Sequence, residues 1–98
     1  MEIIKNKTEN VLDVSLKGRL DTTTAPQLEE VVSGELDGVE VFTLDFSDLE
    51  YISSAGLRVL LAAQKRMNKQ GKMSIKNVND DINEVFEITG FSDILTIE

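Results

Sequence analysis

Ser53 and Ser54 stand side by side between an apolar run that ends at Ile52 and an amphipathic run that begins at Ala55. The pattern predicts a strand, a short turn and then a helix opened by these serines. A hydroxyl at that point can accept one of the N–H groups that a helix leaves unpaired at its start, the ordinary capping role of serine. The same N–H groups, with the positive end of the helix dipole, also favour a phosphate. On spacing alone the cap is the commoner role and the phosphoacceptor the sharper one, and both stay open. Gly56 falls in the same first turn, where glycine weakens a helix but lets another group approach its backbone closely. Catalysis by either serine lacks support. The chain has no histidine and no cysteine, which removes a Ser-His-Asp triad, thiol nucleophiles and disulfides together.

Asp21-Thr22-Thr23-Thr24 is the second group with chemical potential. Its plain role is to turn the chain and cap a helix. In a sheet with parallel pairing the loops after strands gather at one edge, where ligands bind. That would set Asp21 beside Ser54, where a carboxylate orients the hydroxyl and repels an added phosphate. Asp45, Asp48 and Glu50 carry the oxygen ligands that magnesium takes. A solvated turn is the commoner account of such a cluster. No Walker-type phosphate loop occurs, and neither a metal nor a cofactor is expected.

The elements that must position these residues fit one domain, residues 1–98. Hydrophobic residues make up 41% of the chain, enough for a core without metal or disulfide. The 10 basic and 18 acidic residues leave a net charge of −8, which disfavours long-range attraction to nucleic acid or anionic membrane. Arg58, Lys65, Arg66, Lys69 and Lys72 cluster on or near one predicted helix, read as a solvated face. Met1–Lys5 has no apolar signal-peptide core, and no apolar run approaches the roughly 18 residues of a membrane span. The expectation is a cytoplasmic chain, monomeric when free, touching neither nucleic acid nor membrane directly.

Strands are predicted from about Ile3 to Asn6 and from Val11 to Lys17, where Leu12, Val14 and Leu16 alternate with Asp13, Ser15 and Lys17. Gly18 to Asp21 is expected to leave the sheet. Thr24-Ala25-Pro26-Gln27 fits a capping box for a first helix, with Leu28, Val31 and Val32 inward and Gly34 and Gly38 bracketing the exit. Val39 to Phe46 reads as a central strand buried on both faces. The longest helix should run from Ser53-Ser54 to about Lys69, with Leu57, Leu60, Leu61 and Ala63 inward and Arg58, Lys65, Arg66 and Lys69 in water. A strand from Lys72 to Val78, a third helix capped at Asn79 and ended by Gly90, and a last strand from Asp93 to Glu98 complete the order. The fold class is α/β, a mixed four- to five-stranded sheet with helices packed on it.

Three stretches carry a family resemblance. Leu44 to Leu61, with its core Asp45-Phe46-Ser47 and Ser53-Ser54-Ala55-Gly56, resembles the signature of STAS domains, the bacterial anti-sigma factor antagonists. Gly18-Arg19-Leu20-Asp21-Thr22-Thr23-Thr24-Ala25 is similar to the family's Gly-x-Leu-Asp turn, and Phe86-Glu87-Ile88-Thr89-Gly90-Phe91 to its third helix and exit. The resemblance implies a small partner-switching protein and not an enzyme. Its unmodified form would bind an anti-sigma factor that is also a serine kinase, releasing a sigma factor for transcription. Phosphorylation by that kinase would weaken the complex, and a PP2C-type phosphatase would reset it. Aligned on Gly56, the family's acceptor serine falls on Ser54, with Ser53 the lesser candidate because it replaces the family's aspartate. Asp21, Thr22, Thr23, Ser53, Ser54, Gly56 and Arg58 would form the partner-binding edge. The other role the resemblance admits is a phosphorylation-independent subunit of a transporter or signalling complex.

Overall fold

The first two strands, β1 (Glu2–Thr8) and β2 (Val11–Leu20), form an antiparallel hairpin across a tight turn at Glu9 and Asn10. The computed structural model describes every residue from Met1 to Glu98. Helix α1 (Ala25–Glu35) leads to β3 (Val41–Ile52), α2 (Ser54–Gln70) to β4 (Lys72–Lys76), and α3 (Asp80–Thr89) to a 3-10 turn at Phe91–Asp93. The sheet has four strands in the order β1-β2-β3-β4, with β2, β3 and β4 mutually parallel. Each crossover therefore steps in one direction, and right-handed connections that do so stack their helices on one face.

Burial follows that rule. Leu12, Val14, Leu16 and Leu20 of β2, Phe42, Leu44 and Phe46 of β3, and Met73 and Ile75 of β4 all lie in one buried cluster. Ser15, Thr43, Asp45 and Ser74 occupy the alternate positions and stay at least partly open to solvent. The central strand is thus buried on one face, not on two as its apolar density suggested. Leu57, Val59, Leu60, Ala63 and Met67 seat α2 on that face, and Ile82 and Phe86 seat α3, with the Phe86 and Phe46 rings 6.5 Å apart. Val59 joins the core where Leu61 was expected, and Leu61 is only partly covered.

Strand β3 runs to Ile52, six residues beyond the predicted end at Phe46. Between Asp45 and Asp48 it advances three residues against two in β2, and between Leu49 and Tyr51 two against one. Each extra residue is a β-bulge, which breaks the period of two. Inward positions consequently fall at Phe46, Leu49 and Ile52, three apart, and the alternation that marks a strand disappears from the sequence there. The same pairing keeps Gly18, Arg19 and Leu20 in β2, where an exit was expected.

Other boundaries shift for local reasons. Gly34 lies inside α1, and only Gly38 takes a left-handed conformation, φ 76°, in the exit loop. Strand β4 ends at Lys76, where Asn77 turns the chain with φ 60°. The expected last strand reduces to a single parallel bridge between Ile75 and Ile97, because the 3-10 turn uses up the residues before it. Arg66 does not face water alone. Its guanidinium donates to the Val32 carbonyl at 2.9 Å and pairs with Asp37, while the Gln70 amide donates to the Leu36 and Val39 carbonyls at 2.6 Å each. These bonds staple the C-terminal half of α2 to the exit of α1. No helix is long and apolar enough to cross a membrane.

Candidate functional site

The parallel ends of β2 and β3 bring the two candidate loops together. Leu20 pairs with Ile52, and the Ser53 N–H donates to the Leu20 carbonyl at 2.9 Å, so the Asp21 loop and the start of α2 leave the sheet side by side. The expected capping box at Thr24 does not form, since its side chain makes no cap bond to α1. The Thr24 hydroxyl instead accepts from the Asp21 N–H at 2.8 Å and donates to the Arg19 carbonyl at 2.7 Å. Asp21 closes the turn ahead of the helix: its Oδ1 accepts from the N–H groups of Thr23 and Thr24 at 3.0 and 3.1 Å. Desolvation pushes the Asp21 carboxyl up, but the Thr24 and Thr23 N–H groups, the Thr24 hydroxyl and Arg19 outweigh it and hold the group below its ordinary value. The loop therefore presents a fixed negative charge, with Thr22 and Thr23 exposed beside it.

The two serines take different positions. Ser53 is the N-cap residue of α2 in extended conformation, yet its hydroxyl makes no cap bond, and its Oγ is buried with no hydrogen-bond partner. Ser54 is the first residue of the helix and is exposed. The N–H groups of that first turn have no acceptor within the helix, as at any helix start, and the first turn of α2 carries no acidic residue. Gly56 is buried against the sheet. A Cβ there would stand 2.7 Å from Leu20 Cγ and 2.9 Å from Ile52 Cγ1, so glycine is what lets α2 start so close to the strand ends. That is the physical reason for a residue which otherwise costs about 1 kcal/mol in a helix.

Arg58 is exposed one turn further along α2. With Thr22, Pro26, Glu29, Ala55 and Val59 it lines a groove of about 570 Å³ between α1 and α2. The groove extends along the helix pair as far as Val32, Ser33 and Ala62, beside the Arg66 staple. The site thus unites Asp21, Thr22, Thr23, Ser54, Gly56 and Arg58 at one edge, with Ser53 beneath it.

Sequence reasoning missed the Arg19–Tyr51 pair. The Arg19 guanidinium lies 4.2 Å from the centre of the Tyr51 ring and its Nε 3.8 Å from Asp21 Oδ2. Only the bulged register puts Arg19 opposite Tyr51, so no spacing along the chain could reveal it. The acidic residues ahead of the serines do not converge, and no group of three or more His, Asp or Glu side chains comes together. Asp45 instead accepts from the Asn77 amide at 3.0 Å and the Ser47 N–H at 2.9 Å. The Asn77 bond, chief among these, and the nearby Lys76 keep it ionised below the usual carboxylate range against desolvation.

A mixed sheet with every helix on one face, and a hydroxyl-bearing helix start at the parallel strand ends, defines a small α/β class of domain. The family model described as the STAS domain matches residues 2–98, and the chain belongs to that family. Among curated relatives, BtrV of Bordetella bronchiseptica, named as an anti-sigma factor antagonist, is 35% identical over 99% of this chain and 85% of its own length. The anti-sigma-B factor antagonist of Listeria monocytogenes is 32% identical over 97% of this chain and 85% of its own. Among solved structures, the Bacillus cell fate determinant SpoIIAA in its phosphorylated form shares the fold, with a TM-score of 0.77 and 18% identity over 99% of this chain and 91% of that one.

Proposed function

We propose that this chain is an anti-sigma factor antagonist that works as a phosphorylation-gated partner switch, with Ser54 as the acceptor. The observation that carries the reading is the exposure of Ser54 at the first position of α2, next to a Ser53 whose Oγ is buried. A kinase can reach the first hydroxyl and not the second without opening the fold. The names of the relatives supply the partner class, an anti-sigma factor, which in this reading is also a serine kinase. Unmodified, the edge formed by Asp21, Thr22, Thr23, Ser53, Ser54, Gly56 and Arg58 docks that partner and frees a sigma factor. In the kinase reaction the Ser54 hydroxyl gives up its proton and bonds to the γ-phosphorus of ATP, and ADP leaves. A PP2C-type phosphatase returns the serine by hydrolysis. The switch itself is a binding module, monomeric when free.

The energetics favour a change of partner without refolding. A phosphate takes the net charge from −8 to about −10. Buried unpaired in a contact, such a charge costs about 3–5 kcal/mol, a loss of affinity of about 150-fold to several thousand-fold. Incubation with the cognate kinase and ATP, followed by mass spectrometry, should locate the phosphate on Ser54. Ser54→Asp should lose at least ten-fold in partner affinity with an unchanged circular dichroism spectrum, while Ser54→Ala binds and accepts no phosphate. A phosphate found elsewhere, or full-strength binding by Ser54→Asp, overturns the assignment.

A further inference from the structure

The chain has three arginines, and two of them are committed within the fold. Arg19 lies against the Tyr51 ring and faces Asp21. Arg66 is bound to Asp37 and the Val32 carbonyl. Arg58 alone makes no side-chain hydrogen bond and no ion pair, although the chain carries 18 acidic residues against 10 basic ones. It stands four residues after Ser54 on α2, and side chains at that spacing are neighbours on one helix face, with Cβ atoms about 5–6 Å apart. No other basic residue occurs on α2 before Lys65. The nearest carboxylate in its groove is Glu29, across on α1.

We propose that Arg58 is a phosphate-responsive residue with two partners in turn, an inference that rests on Ser54 being the acceptor. While Ser54 is free, the unpaired guanidinium at the groove mouth is available to a carboxylate of the docking protein. Once Ser54 carries a phosphate, Arg58 turns back one helical turn and pairs with it. A planar guanidinium matches phosphate oxygens in a bidentate manner. The modification then acts twice, adding a dianion to the edge and withdrawing the cation that the partner uses.

The test uses the full chain with phosphoserine installed at position 54 by genetic-code expansion, so that no kinase is needed. The second ionisation of the phosphate is followed by phosphorus NMR in this protein and in its Arg58→Gln and Arg58→Lys variants. Helix start, Asp21, Arg19 and Glu29 are common to all three, so their difference isolates residue 58. The phosphate should titrate about 0.5 unit higher in Arg58→Gln than in the parent, with Arg58→Lys between them. Equal titration in parent and Arg58→Gln overturns the pairing. A second measurement takes the unphosphorylated chains against the partner kinase: Arg58→Gln should bind about ten-fold more weakly than the parent, and equal binding removes the docking half of the proposal. Undiminished kinase binding by the phosphoserine-54 chain would instead sink the switch itself, whatever the phosphorus titration shows.

Discussion

Two serines with the same side chain, one peptide bond apart, have opposite surroundings. The Ser53 Oγ is sealed in without a partner, whereas Ser54 is open to solvent. Which hydroxyl is open to solvent is decided by the direction in which the chain leaves β3, not by residue type. The Gly56 position shows the same dependence on close neighbours. Gly56→Ala would gain about 1 kcal/mol of helix propensity and would drive a methyl into Leu20 and Ile52, an overpacking cost of about 1–3 kcal/mol. Leu20 is fully buried and cannot swing aside. Urea denaturation should therefore find Gly56→Ala less stable by up to about 2 kcal/mol, and a more stable variant would show that α2 can lift off the strand ends freely.

The elements owe their positions to a few side-chain bonds. Helix α3 carries the cap its sequence advertises: Asn79 Oδ1 accepts from the Ile82 N–H at 2.8 Å, and Gly90 ends the helix with φ 81°. The Asn79 amide also donates to the Leu49 carbonyl at 3.0 Å, tying the helix start to the bulged part of β3. Asn79→Ala should lose about 1–2 kcal/mol in thermal or urea unfolding, the upper part of the range for a cap, because both bonds go. A loss below about 0.3 kcal/mol would mean that water replaces both. At α1 the capping-box pattern was legible but misleading, since Thr24 was already held by the Arg19 carbonyl and the Asp21 N–H. A cap motif records only local partners, and a neighbouring strand end offered better ones.

Charge is a property of the whole molecule, and its pH dependence follows from two carboxylates. Asp21 and Asp45 are both held below their ordinary value of 3.8 in the folded chain. A group whose folded value is depressed stabilises the fold above its unfolded value and loses that contribution as pH falls toward the folded one. Stability should be level at neutral pH and decline on acidification from about pH 5 downward. Asp45→Asn should flatten that decline in denaturation curves measured between about pH 5 and 2. An unaltered acid slope would show that the Asn77 and Ser47 bonds do not distinguish the folded state.

The sequence by itself determined the element order through the third helix, the helix starts, the inward stripe of β2 and the family, because these rest on side-chain periodicity and on motifs confined to neighbouring residues. It pointed to the candidate edge, since Asp21 and Ser53 each follow a strand, and the parallel pairing of Leu20 with Ile52 set the two loops side by side. Tertiary structure alone decided the rest. Two bulges in β3 reset the alternation, hid the second half of the strand from a period-two reading and turned Tyr51 toward Arg19. One-sided stacking of the helices left the other face of the sheet open, and burial separated Ser53 from Ser54. Each of these depends on pairing register and on contact between residues distant along the chain, which no local pattern contains.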